Sequence, residues 1–152
     1  MAHFVMWTLL IGPWFLLFFF DLQRIKRFVP VGLFASLVLT IVFQLAEKYE
    51  WWIIKDNLFF LTNITPYVYG VFLVGTILIF YISYPSFPFF MLVNIVVDLF
   101  EALIISPLFQ RLGIYEAKNM NQFAIFLLMI AIAALLYFYQ KWQDSAFKEE
   151  LK

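Results

Sequence analysis

No cysteine occurs among the 152 residues, so disulfides, thiolate metal sites and cysteine nucleophiles are excluded. The single histidine, His3, leaves no material for a histidine-based metal centre. Charge is scarce as well: Lys, Arg, Asp and Glu make up 13% of the chain, and ten basic residues balance ten acidic ones. Without a basic excess, no nucleic-acid partner held by bulk electrostatics is expected. Internal repeats, low-complexity linkers and a soluble domain are missing too. What fills the chain instead is apolar, with 65% hydrophobic and 22% aromatic residues and a mean hydropathy of +0.92. Such a surface would be greasy in water, so the lipid bilayer is the solvent this composition requires.

A helix needs about 20 predominantly apolar residues to cross a hydrocarbon core of about 30 Å. Five runs qualify: residues 4–20, 28–46, 66–83, 87–106 and 123–139. Pro30 and Pro66 fall in the first turn of their spans, where a missing N–H costs little, with Thr65 as a cap for the third. Pro107 is expected to stop the fourth. The predicted fold is therefore all-α, an integral membrane bundle of five transmembrane helices forming a single domain over residues 1–152. Its outer loop between the second and third spans, residues 47–65, carries Tyr49, Trp51 and Trp52 and reads as interfacial, because such amphipathic rings favour the headgroup zone. Only Tyr84, Pro85 and Ser86 separate the third and fourth spans, which forces a tight antiparallel hairpin. Residues 141–152 read as a short cytoplasmic tail extending the last helix.

Lysine and arginine counts set the orientation. With the amino terminus outside, six basic residues (Arg24, Lys26, Arg27, Lys141, Lys148 and Lys152) lie within and four (Lys48, Lys55, Arg111 and Lys118) lie without. The three packed directly after the first span favour an outside amino terminus and a cytoplasmic carboxyl terminus.

The chemistry-bearing residues concentrate on the fourth span. At about 100° per residue, Asp98 lies about 40° from Asn94 and Glu101 about 20° to its other side, so an amide and two carboxylates share one face. Asp98 falls roughly 2 Å beyond the centre of its span, where an ionised Asp costs about 2.5 to 3.5 kcal/mol on the insertion scale. These groups must face protein or water: either the carboxyls are protonated, or a cation or water file accompanies them. On the second span Ser36, Thr40 and Gln44 also share a face, at depths that bracket Glu101. The expected site is thus Asp98, Glu101, Asn94, Thr40 and Gln44, with Arg111 or Lys55 as an outer gate. For Ser36, Thr40 and Gln44 the competing role is inter-helix glue. An Asp and Glu at i and i+3 can bind a divalent cation or relay protons, and the identity of any metal stays open. Gly70 and Gly75 make no Gly-x-x-x-Gly pattern, so close helix contact there is unspecific.

Three stretches carry a family likeness. Met6-Trp7-Thr8-Leu9-Leu10-Ile11-Gly12-Pro13-Trp14 leads into Asp21 and the Arg24 to Arg27 patch; Tyr69-Gly70-Val71-Phe72-Leu73-Val74-Gly75-Thr76 opens the third span; Arg111-Leu112-Gly113-Ile114-Tyr115-Glu116 precedes the last. Over nearly the whole chain this resembles a family of short multi-pass membrane proteins from endospore-forming Gram-positive bacteria. The resemblance implies a bacterial cytoplasmic membrane and carries over no activity, cofactor or catalytic residue.

The functional expectation is a non-enzymatic protein, since nucleophile, base and metal ligands are assembled nowhere, and no cofactor is expected. Its carboxylate pair would serve a small cation- or proton-responsive transporter, channel or sensor. The alternative is an accessory or structural subunit of a larger membrane complex. Membrane lipid, and a homo-oligomeric or other membrane partner, are the expected neighbours, because five spans are few for paired repeats.

Overall fold

In lipid every backbone polar group must be satisfied internally, and five helical segments do this over lengths that can cross a membrane. The computed structural model describes residues 1–149; Glu150, Leu151 and Lys152, the end of the expected tail, lie outside the described residues. Helix α1 spans Ala2–Leu16 and is continued by a 3-10 turn over Leu17–Phe19. Helix α2 spans Leu22–Lys48, and α3 spans Val71–Ser83 after a 3-10 turn at Pro66–Val68. Helix α4 spans Phe87–Phe100 and passes through a π-helical turn, Glu101–Ile105, into α5, Ser106–Arg111. Helix α6 spans Gln122–Glu149. The protein is an all-α, multi-pass membrane bundle, as its composition requires.

Three boundaries differ from expectation, the first being the third span, which opens as a 3-10 turn without a side-chain cap bond from Thr65 and becomes α-helical only at Val71. Asp21 Oδ1 accepts the Gln23 backbone N–H at 3.0 Å, so α2 begins at Leu22 and the basic patch is helical. Pro30 therefore sits inside α2 and not in its first turn. Its ring frees the carbonyl of Lys26, an exposed residue near the polar end of the helix, where the loss is cheap. Pro107 does not stop the fourth span. In the π turn the Ser106 N–H reaches back five residues to the Glu101 carbonyl, and this widening gives the proline ring room that a regular α-helix would deny it.

The two long connections, after α2 and after α5, pair with each other, which the sequence pattern did not reveal. Strand β1, Trp52–Ile54, runs antiparallel to β2, Tyr115–Ala117, with Ile53 opposite Glu116. Backbone bonds from Lys55 N to Ile114 O and from Lys118 N to Trp51 O, both 2.9 Å, extend the ribbon at either end. Gly113 precedes β2 with φ +71°, the left-handed conformation that ends α5 and turns the chain back. His3 Nε2 lies 3.0 Å from Asp56 Oδ1, so the amino terminus shares this end of the molecule.

Helices α2, α3, α4 and α6 form a ring, each packed on the next, and α1 lies outside against α3 and the Pro66–Val68 turn. At the hairpin end a run of rings crosses the interior from all four helices. Phe28 stacks on Phe80 (5.8 Å between centroids), Phe80 meets Phe90 (4.5 Å), and Phe90 meets Tyr137 (5.3 Å). Each lies at least nine-tenths out of solvent, so these rings fill the bundle there. Below them Asp144 of α6 accepts from Arg27 at 2.8 Å, from Gln140 at 3.0 Å and from the Tyr84 hydroxyl, fastening the end of α6 to α2 and the hairpin turn. The ribbon end is built differently, around open volume.

Candidate functional site

Two cavities meet inside the ribbon half of the bundle. The larger, about 140 Å³, reaches from Asp98 towards Trp52 and Ile54 of β1 and Tyr115 of β2. The smaller, about 100 Å³, extends the other way, past Asn94, Gly75 and Thr76 to Phe80 and Phe90 of the aromatic layer. Tyr67, Asp98, Glu101 and Met129 line both and stand between them. Either volume exceeds the 10–15 Å³ or so that a single water needs.

The helical repeat of α4 puts Asn94, Asp98 and Glu101 on this inner face, as their spacing predicts. Asp98 is only 7% exposed, and its Oδ2 is buried with no hydrogen-bond partner among the described residues. A polar atom in that state is costly, and native structures keep few of them. Glu101, where the π turn begins, accepts a hydrogen bond from the Tyr67 hydroxyl. Asn94 is tied to its own helix, Nδ2 donating to the Phe90 carbonyl at 2.8 Å. The three residues therefore differ in kind: Asn94 is satisfied locally, Glu101 bridges to the start of the third span, and Asp98 lines both cavities with its Oδ2 left unpartnered among the described residues. π-helical turns recur at functional sites because the widened backbone re-aims side chains, and here the turn carries Ala102 and Ile105 onto the larger cavity.

Thr40 and Gln44 are not brought to these carboxylates. Helices α2 and α4 stand at opposite corners of the ring, and α2 turns Leu39 and Phe43 to the cavity, one position round from the predicted polar stripe. Thr40 Oγ1 instead donates to the Ser36 carbonyl at 2.7 Å and lies 3.1 Å from the Tyr69 hydroxyl. Ser36 Oγ donates to the Val68 carbonyl at 3.0 Å, so these two residues fasten α2 to the start of the third span. Gln44 is exposed and lines neither cavity.

The expected outer gate is also absent from the cavity walls. Lys55 is exposed and ion-paired with Glu116 across the ribbon, and that bond holds the Glu116 carboxyl below its ordinary range. Arg111 is exposed at the end of α5. Neutral groups line the ribbon end instead: the Ser106 hydroxyl bonds the Tyr115 hydroxyl and accepts from Gln122 Nε2 at 2.9 Å, joining α5, β2 and α6. Tyr67 and this Ser106, Tyr115 and Gln122 cluster carry no periodic signal in the sequence. A tyrosine at the edge of a span reads as an interfacial anchor until the fold turns it inward.

Chemically the site offers two carboxylates, one phenol donor and one unengaged acceptor beside two cavities. Among the described residues no group of three His, Cys, Asp or Glu is assembled. No protein-family model, curated protein or solved structure matches the chain.

Proposed function

We propose that this chain is a non-enzymatic multi-pass membrane protein whose Asp98 and Glu101 form a proton- or cation-responsive site, the working part of a small transporter, channel or sensor. The observation that carries this reading is Asp98 itself, a buried carboxyl on a helix of membrane-spanning length that lines both cavities and whose Oδ2 has no partner among the described residues. An ionisable group at that depth costs several kcal/mol unless it is paired, and no structural bond repays this one. A proton or cation arriving at Asp98 would supply the missing partner. The aromatic layer below and the Ser106, Tyr115 and Gln122 cluster above give such a site two ends that could open in turn.

The test is flux of protons and monovalent cations in liposomes holding the purified protein. Asp98→Asn keeps the shape and removes the ionisable group, so flux is expected to fall at least about tenfold while the variant keeps its helix content. Equal flux from both proteins would overturn the site assignment. A folded wild type with no flux and no cation or pH response would favour the accessory-subunit reading. The observation on that side is α1, which buries Met6 alone and exposes Phe4, Trp7 and Phe15 to lipid or to a membrane partner.

We further read the membrane as the bacterial cytoplasmic one, on the family resemblance, with the amino terminus outside and the carboxyl terminus cytoplasmic. Arg24, Lys26, Arg27, Lys141 and Lys148 at the hairpin end support this by the positive-inside rule. Ser145 is exposed on the terminal part of α6. The thiol of Ser145→Cys is expected to react with an impermeant maleimide only after the inner face is opened, and labelling of intact cells would reverse the orientation.

A further inference from the structure

The larger cavity has a wall chemistry that an inorganic ion does not use. Against its polar floor of Asp98, Glu101 and Tyr67 stand the rings of Phe43, Trp52, Phe109 and Phe126. These walls are braced by other rings: Phe43 meets Trp52 edge-on at 5.3 Å, and Phe109 meets Tyr67 edge-on at 6.5 Å. Pockets with apolar, aromatic walls and a few convergent polar groups bind small organic molecules, and aromatic faces beside carboxylates favour organic cations. A volume of about 140 Å³ has room for one ring, since a cavity of about 150 Å³ holds one benzene.

We propose that the larger cavity binds a protonated organic amine carrying one aromatic ring or a short alkyl chain, its ammonium head at Asp98 and Glu101 and its apolar body between Phe43, Trp52 and Phe126. The inference rests on the reading of Asp98 and Glu101 as a cation site and adds the ligand class. Three features favour an amine over a metal ion. An ammonium group brings N–H donors to the Asp98 carboxyl, which lines the cavity and whose Oδ2 has no partner among the described residues. A divalent ion such as calcium takes six to eight oxygen ligands, and two carboxylates with a phenol fall short of that. A hydrated alkali ion would leave the aromatic walls without a role, whereas a ring or alkyl chain fills them.

The experiment is equilibrium dialysis of benzylammonium against the full chain in phosphatidylcholine nanodiscs, with empty nanodiscs measuring partition into lipid. Benzyl alcohol tests the ring without the charge, and potassium tests the charge without the ring. Saturable benzylammonium binding is expected, at least about tenfold tighter than benzyl alcohol and weakened at least about tenfold by Asp98→Asn. Phe126→Leu, which trims the wall and keeps an apolar side chain, is expected to weaken it several-fold. Size-exclusion and circular dichroism profiles confirm that both variants are folded. Benzyl alcohol binding as tightly as benzylammonium would reduce the cavity to an apolar slot and overturn the proposal. An Asp98-dependent proton or potassium response without saturable benzylammonium binding would keep the cation site and overturn the ligand class. Loss of both would overturn the two readings together.

Discussion

Asp98→Leu is expected to raise the melting temperature of the detergent-solubilised protein while abolishing its cation or proton response. The residue is 7% exposed, its Oδ2 has no partner among the described residues, and its surroundings are largely apolar. Leucine removes the cost of holding that group in an apolar setting and fills part of the open volume between the two cavities. On the insertion scale the difference between an acidic and an aliphatic residue near a helix centre is about 3 kcal/mol, so a gain of about 2 kcal/mol is a reasonable expectation. Asp98→Asn, which keeps a polar group in place, should recover only part of it. A fall in melting temperature for Asp98→Leu would mean that the carboxyl holds the bundle together, and the site would then be structural. Gain of stability together with loss of response is the signature of a residue kept for what it does.

Gly70→Ala is expected to be the most damaging single-methyl change in the chain. A Cβ at this position would lie 1.8 Å from the Leu9 carbonyl oxygen and 2.7 Å from Leu10 Cα. These are backbone atoms of α1, so no side chain can swing aside, and α1 must move as a body. Trp14 Nε1 donates to the Tyr69 carbonyl at 3.2 Å beside the same crossing, and that bond would be strained with it. Overpacking against side chains costs about 1–3 kcal/mol, and a clash with fixed backbone belongs at or above the upper end. Gly75→Ala is the control: an added Cβ meets nothing within 4 Å, and alanine favours the helix. Detergent melting of the two variants should differ by about 3 kcal/mol or more. Similar melting would show that α1 is not seated on the Pro66–Val68 turn and the start of α3.

The five spans were legible because crossing a bilayer imposes a length and a composition on each segment separately, and both are local quantities. The shared face of Asn94, Asp98 and Glu101 was legible for the same kind of reason: about 100° of rotation per residue is a property of one helix. Pro30 and Pro107 were misjudged, since an Asp21 cap and a π turn change where a helix starts and continues, and neither is written in the hydrophobic run. Pairing of the two long connections joins Ile53 to Glu116, and no local turn signals a partner so far along the chain.

The neighbour of Asp98 and Glu101 is the deeper case. Helical spacing points to Thr40 and Gln44 on α2, whereas the fold supplies Tyr67, 34 residues from Glu101, with Leu39 and Phe43 across the cavity. In water a helix declares its inner face by the contrast between apolar and polar sides. In lipid both sides are apolar, so Leu39 facing the bundle and Leu37 facing lipid look alike in the sequence. The rotation of each helix about its own axis, and so the wall that each carboxylate meets, is settled only when the four-helix ring closes, through packing details such as Gly70 against α1 and Phe80 between Phe28 and Phe90.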